Sequence, residues 1–485
     1  PNLNQKDAMV FFRWISRLDD LYELEMNIHE RFDNWGSRNL QECLKKFLRK
    51  IQQIPSISSL KLTFQRCENL KRSAFKNFGV GLTRLSKLHL NLNFGGNLNT
   101  DLVRNLARSL SCQPCLMSLN LRISPADLDN PDTLLYLFSE IRNLKWLKYL
   151  RLGLQILKRA EIRRLPTVIK GLEKLEGLSL DLYSCQILDD VGIKPLLLSF
   201  KQMRNLSSLC LRLFDFTKLT VKTVKTLLQH HDTLRDRLSF QPNNLKKLSL
   251  NLPLTSIEDK KSSKDLSGYF MGSPHLSVLE LTFTGFLKGR NTGLGEICSS
   301  LAWLKGLSGL YLNWGRNYPF SDEELTGLGR SIEKLALKDL ELILSGYRYK
   351  SPTAWIFFAQ SLKTLTKLMK LSLNFSFFYF QFDVLQQLGF SLKESKALSF
   401  LALDLSGCNL SEARFESLEF LLTNLKNLET LEINLQNNYW LMNKNFKKMS
   451  SRLGKIRSLK TLCLSLDSEF LPTNPKKINP LFCFG

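Results

Sequence analysis

One leucine phrase returns fifteen times along 485 residues. It reads L-x-L or L-x-L-x-L, as in "LHLNL" at 88–92. The leading leucines are Leu24, Leu60, Leu88, Leu119, Leu150, Leu178, Leu209, Leu248, Leu279, Leu310, Leu340, Leu371, Leu401, Leu431 and Leu462. Most successive gaps are 28 to 31 residues, the exceptions being 36 and 39. Strict alternation marks a strand buried on one face. After each phrase the period changes: Leu102, Val103, Leu106 and Leu110 fall at helical spacing, with Asn99 or Thr100 placed to cap. No single unit of this size hides its own apolar face, so a fixed period in this range means a stacked solenoid.

The full phrase, L-x-x-L-x-L-x-L followed by a loop and an amphipathic helix, resembles the leucine-rich repeat over nearly the whole chain. Units that pair a strand with a full helix are similar to the ribonuclease-inhibitor-like subtype, and "LALDLSGCNLSEARFESLEFLL" at 401–422 carries the resemblance best. The resemblance implies an α/β leucine-rich-repeat solenoid of about 15 repeats, a horseshoe with a parallel β-sheet on its concave face and helices on its convex face. It also implies that Cys408 bonds backbone groups in the turn after its strand, with Cys67, Cys185, Asn317 and Asn438 in the same place. Gly95, Phe216, Phe286 and Phe378 stand there in other units. The family's unit is about 28–29 residues, whereas the added x-L here predicts strands two residues longer, with their facing preserved. Ser321 and Glu324 spell a capping box, and Ser411 is placed to cap a helix.

Repetition implies one continuous solenoid over 1–485, with a C-terminal tail at 467–485. "AMVFFRWISRL" at 8–18 reads as the helix phase of a repeat with no polar capping unit before it, so the chain reads as a fragment of a longer one. Apolar stretches such as "WIFF" at 355–358 fall far short of a membrane span, and no membrane partner is expected. Ten cysteines without a spaced framework fit a reducing compartment, hence an intracellular protein, cytoplasmic or cytoskeletal.

The net charge is +24. Residues 1–250 hold 40 Lys+Arg against 23 Asp+Glu, and residues 251–485 hold 28 against 21. The resemblance implies that residues between the strand leucines line the concave wall and bind a partner. In the first half these are Lys61, His89, Arg122, Arg151, Asp181 and Arg212. In the second they are Glu280, Tyr311, Glu341, Asp404 and Glu432. The early wall is basic and the late wall acidic, so the overall charge comes from elsewhere, chiefly lysines before strands ("LKKLSL", "LMKLSL") and on helices. A nucleic-acid groove should be basic along its length.

A lengthened unit places a basic edge loop at 229–244, with His230, His231, Arg235 and Arg237 as contact candidates. "EDKKSSKD" at 258–265 is a second charged loop. In "FSFFYFQF" at 375–382, Phe377, Phe378, Tyr379 and Phe380 exceed what one turn buries; they fill the turn's core or form a docking patch.

No H-E-x-x-H, G-x-x-x-x-G-K-[ST] or G-x-S-x-G occurs, and "CQPC" at 112–115 lacks a second cysteine pair. The reading is a non-enzymatic protein-binding scaffold without catalytic residues, cofactor or metal, a subunit of a large intracellular assembly. Two alternatives stand beside it. One is a basic component of a ribonucleoprotein or microtubule-associated complex, whose convex side takes RNA or an acidic protein surface. The other is the regulatory repeat region of a longer multidomain protein.

Overall fold

The computed structural model describes residues 21–29, 46–47, 49, 51, 54, 56–65, 83–93, 100–123, 132–155, 159–183, 189–200, 202–214, 245–253, 267–268, 270, 273, 275–284, 294–314, 321–345, 352–378, 384–438, 448–449, 451–454, 456–466 and 482–483. The chain forms two compact units, residues 1–245 and 246–485.

Unit 1 holds β1 (Glu23–His29), β2 (Ser59–Gln65), β3 (Lys87–Asn93), β4 (Ser118–Ile123), β5 (Tyr149–Gln155), β6 (Gly177–Tyr183) and β7 (Ser208–Phe214). They pair in chain order, all parallel, and the register sets Leu24 against Leu60, Leu88, Leu119, Leu150, Leu178 and Leu209 in turn. Between them the described helices are α1 (Thr100–Ser111), α2 (Asp132–Arg142), α3 (Arg159–Lys170) and α4 (Asp190–Phe200).

Unit 2 repeats the plan. Its strands are β8 (Lys247–Pro253), β9 (Val278–Thr284), β10 (Gly309–Asn313), β11 (Asp339–Ile343), β12 (Lys370–Asn374), β13 (Phe400–Asp404), β14 (Thr430–Asn434), β15 (Thr461–Ser465) and the short β16 (Phe482–Cys483). The parallel register again aligns the leading leucines, from Leu248 to Leu462. Its described helices are α5 (Leu294–Ser300), α6 (Asp322–Ile332), α7 (Pro352–Leu362), α8 (Val384–Leu392) and α9 (Glu412–Asn424). The protein is therefore an α/β repeat solenoid with open parallel sheets, as the leucine spacing predicts.

The side-chain period of two explains the alignment: a slip of one residue would turn every leucine out of the core. Leu90, Leu121, Leu152, Leu180 and Leu211 are fully buried, as are Leu281, Leu310 and Leu342. Each such side chain contributes about 2 kcal/mol by leaving water. The helices close the same core with residues such as Leu106, Leu137, Leu165, Leu196, Leu328 and Leu388. Near the helix ends buried serines recur, Ser109, Ser199, Ser300 and Ser361, each donating to a carbonyl of the preceding turn.

The longer strand holds only in part. Strands β1–β3 and β5–β9 have seven residues and β4 has six, whereas β10–β15 have five. In β12, β13 and β14 the cause is a repeated turn. Asn374, Asp404 and Asn434 each accept, through Oδ1, the backbone N–H two residues on, at 2.9, 3.0 and 3.1 Å. This bond competes with continuation of the strand. Phe377, Gly407 and Asn437 then take left-handed φ values of 58°, 66° and 59°. The third apolar residue still points inward, so Phe375, Leu405 and Leu435 are fully buried.

The next residue of that turn is the one the resemblance singles out. Asn438, fully buried, donates to the carbonyls of Leu405 and Leu435 at 2.9 Å and accepts from the Leu410 N–H at 3.2 Å. Cys408 places its Sγ 3.0 Å from the Phe375 carbonyl. Burial pushes its thiol up to about 12. Phe378 fills the same site by packing alone, edge-on to Trp355 at 5.6 Å and to Phe375 at 5.5 Å. Phe377 is exposed. The cluster thus divides between core and surface; Tyr379 and Phe380, like Cys67, Cys185 and Asn317, lie outside the described residues.

The capping box at α6 forms in both directions, Glu324 N–H to Ser321 Oγ at 3.2 Å and Ser321 N–H to Glu324 Oε2 at 2.7 Å. Ser411 occupies the N-cap of α9 but its side chain makes no capping bond. Thr100 is the first residue of α1 rather than its cap. Among the described residues, no helix is long and apolar enough to cross a membrane.

Candidate functional site

The strand face away from the core leaves alternate side chains uncovered. In unit 1 its two central rows follow the ladder. One runs Glu25, Lys61, His89, Asn120, Arg151, Ser179, Cys210. The other runs Asn91, Arg122, Gly153, Asp181, Arg212.

Asp181 is the centre of this face. Its carboxylate is fully buried among arginine side chains. Arg151 donates Nε and Nη2 to Asp181 Oδ2 at 3.1 and 2.7 Å. Arg122 brings Nη2 to the same oxygen at 3.5 Å, and Arg212 brings Nη1 to Oδ1 at 3.6 Å. Arg122 starts two strands away and must cross β5 to arrive. It crosses at Gly153, the one place in that row without a side chain.

Lys61 pairs with Glu25 at 2.6 Å on the neighbouring strands. His89 stands between Lys61 and Asn120 in the row. Burial lowers its pKa first, and the charges of Lys61, Arg122 and Arg151 lower it further, against Glu25. The lowered pKa favours the neutral imidazole in this positive field. Of the six candidates in this half, Arg122, Arg151, Asp181 and Arg212 converge, while Lys61 and His89 stand beside them.

In unit 2 the corresponding row is Glu280, Tyr311, Glu341, Ser372, Ala402, Glu432, Cys463. Ser372 and Ala402 are small, and between the taller Glu341 and Glu432 they floor a hollow of about 240 Å³. Burial raises the Glu341 pKa, and Glu280 raises it further. Burial also raises that of Tyr311, with Asp339, Glu341 and Glu280 adding. Glu341 and Glu432 form no ion pair among the described residues. Asp404 lines the hollow but is committed to the turn: it accepts from Asn374 Nδ2 at 2.9 Å and from the Ser406 hydroxyl at 2.7 Å.

Sequence reasoning missed Gly153, because a glycine inside a strand pattern carries no charge signal. In the turns leading into the strands it saw the lysines but not their aromatic neighbours. There Trp146 is 58% exposed and carries Lys174 over its ring at 3.2 Å. Nearby, Glu176 accepts from the Tyr149 hydroxyl at 3.1 Å and pairs with Lys148 at 2.8 Å. The string "LKWLKY" at 144–149 was the available signal. Cys112 and Cys115 are both exposed in the turn between α1 and β4. His230, His231, Arg235 and Arg237, and the loop 258–265, lie outside the described residues.

No protein-family model matches the sequence, and no curated protein matches it. Among solved structures, a chain in the crystal structure of the Rad7 and Elc1 complex in yeast is similar, with a TM-score of 0.46 and 15% identity over 99% of this chain and 92% of that one.

Proposed function

We propose that the protein is a non-enzymatic scaffold that binds protein partners through the uncovered face of its sheets, as a subunit of a larger assembly. One observation carries this reading. The uncovered face bears charged side chains of opposite net sign in the two units: the arginines about Asp181 in unit 1, and Glu280, Glu341 and Glu432 in unit 2. Ladder hydrogen bonds hold both rows rigid, so a partner meets a preorganised surface. Charge of both signs suits recognition of a protein, because complementary and like-charge contacts together select a partner. We assign the units to the leucine-rich repeat, ribonuclease-inhibitor-like subtype, supported by the alternation of one strand and one helix where both are described and by the bonded Asn438 and Cys408 turns.

A second reading has its own observation. The turns leading into the strands combine cations with exposed aromatic and sulfur side chains, such as Lys145, Trp146 and Lys148, or Lys367, Met369 and Lys370. That composition favours an RNA or acidic surface as partner.

Affinity purification of the natural protein, with and without ribonuclease, separates the two. A defined set of proteins that survives ribonuclease and moderate salt supports the scaffold. Loss of all partners on ribonuclease treatment supports the second reading and contradicts the first.

A further inference from the structure

We propose that the uncovered face of unit 1 binds an acidic segment of a protein partner, with Arg122, Arg151 and Arg212 gripping its carboxylates. This rests on the reading of that face as the binding surface, and it gives the partner a chemistry.

Three guanidiniums converge on one carboxylate. Arg122 and Arg151 alone outweigh the single charge of Asp181, so the group stays net positive. Lys61 adds nothing to the excess, since Glu25 matches it at 2.6 Å. Arg151 holds Asp181 closely at 2.7 Å, whereas the Arg122 and Arg212 contacts of 3.5 and 3.6 Å are long for charged hydrogen bonds. Arg122 and Arg151 each offer five N–H donors in a planar fork, more than the one Asp181 oxygen they share can accept. The three side chains are 44%, 35% and 29% exposed, so part of each faces solvent.

The spacing suits a short extended peptide. Strands lie about 4.8 Å apart, so β4 to β7 spans roughly 14 Å. An extended chain covers that distance in about four residues and shows alternate side chains on one side, about 6.8 Å apart. Two carboxylates of an acidic run therefore fit over the three arginines. A nucleic acid is less suited, because a phosphate backbone needs cations along its length. Here the positive excess ends at β4, and Glu23 and Glu25 stand at β1.

The test is fluorescence anisotropy of the whole chain with three labelled ten-residue peptides: one rich in Asp and Glu, its Asn and Gln counterpart, and a phosphoserine peptide, with single-stranded RNA as competitor. The acidic peptide is expected to bind, to weaken steeply with added salt, and to weaken about ten-fold in the Arg122→Gln/Arg212→Gln protein. Arg151 is retained so that Asp181 keeps its closest partner. Should the double variant fail to fold, Arg122→Gln alone is expected to weaken binding about three-fold. Glu323→Gln, exposed on α6 and outside the uncovered strand face, should leave this affinity unchanged. Equal binding of the neutral peptide, tighter binding of the phosphopeptide or RNA, or indifference to the arginine substitutions would overturn the proposal. If the acidic peptide does not bind but natural partners are lost on Glu341→Gln/Glu432→Gln, the inference fails while the binding-face reading stands. If natural partners survive both sets of substitutions, that reading fails too.

Discussion

Arg122 crosses β5 directly above Gly153: a Cβ on Gly153 would lie 2.9 Å from the Arg122 Cγ and 3.2 Å from its Nε. The missing side chain is what lets a residue of β4 reach a carboxylate on β6. Gly153→Ala should therefore displace Arg122 near its root, where the chain bends least freely. The backbone gain of a Gly-to-Ala change is outweighed, and a net loss on the order of 1 kcal/mol is expected in urea unfolding. An unchanged or raised stability would show that Arg122 shifts without cost.

Asp181→Asn removes the one negative charge that three arginines share. The arginines are partly exposed and partly rehydrate, so the expected loss is about 2 kcal/mol, below the usual cost of breaking a buried pair. The same substitution frees guanidinium donors, and affinity for the acidic peptide should rise. Destabilisation without tighter binding would mean that the peptide does not see these arginines.

The repeat was legible because it is written in one residue type at one period. All fifteen leading leucines became strand residues, in register from Leu24 to Leu209 within unit 1 and from Leu248 to Leu462 within unit 2, since only that register buries them together. The strand ends were less legible. Asn374, Asp404 and Asn434 look like ordinary face residues until their side chains bond the backbone two positions on. Asp404 for that reason reads as a contact residue in sequence, and its turn role appears only in the structure. The convergence on Asp181 was hidden more deeply. Arg122, Arg151, Asp181 and Arg212 are visible as charges, but their meeting depends on the gap at Gly153, which only the pairing of β4, β5 and β6 reveals.

His89 makes a contribution of definite sign to the pH dependence of stability. Its folded pKa lies below the ordinary value of 6.5, through burial and the nearby cations. The unfolded chain therefore binds the proton more readily. The contribution is fully present above pH 6.5 and is lost as pH falls from there through the folded pKa. Against His89→Asn, the natural protein should lose relative stability as pH drops below 6.5 in parallel urea titrations. A constant difference across that range would contradict the lowered pKa of the half-buried His89.

Asn438 should be the costliest single polar residue of its turn. Asn438→Ala leaves the Leu405 and Leu435 carbonyls and the Leu410 N–H without their partner in a buried turn. The expected loss is about 3 kcal/mol, against about 1 kcal/mol for Cys408→Ala, whose thiol bonds only weakly. Thermal and urea unfolding of the two variants give the comparison, and equal losses would contradict the hydrogen-bonded role of Asn438.

Site-specific photo-crosslinking in cells tests the central claim most directly. A photoreactive residue is placed at Asn120 or Ser372 on the uncovered strand face, or at Tyr136 or Phe390, which are exposed on helices. The account predicts that partner proteins attach at Asn120 and Ser372 and not at the helix positions. Attachment confined to Tyr136 or Phe390 would contradict it and move the working surface to the helical side.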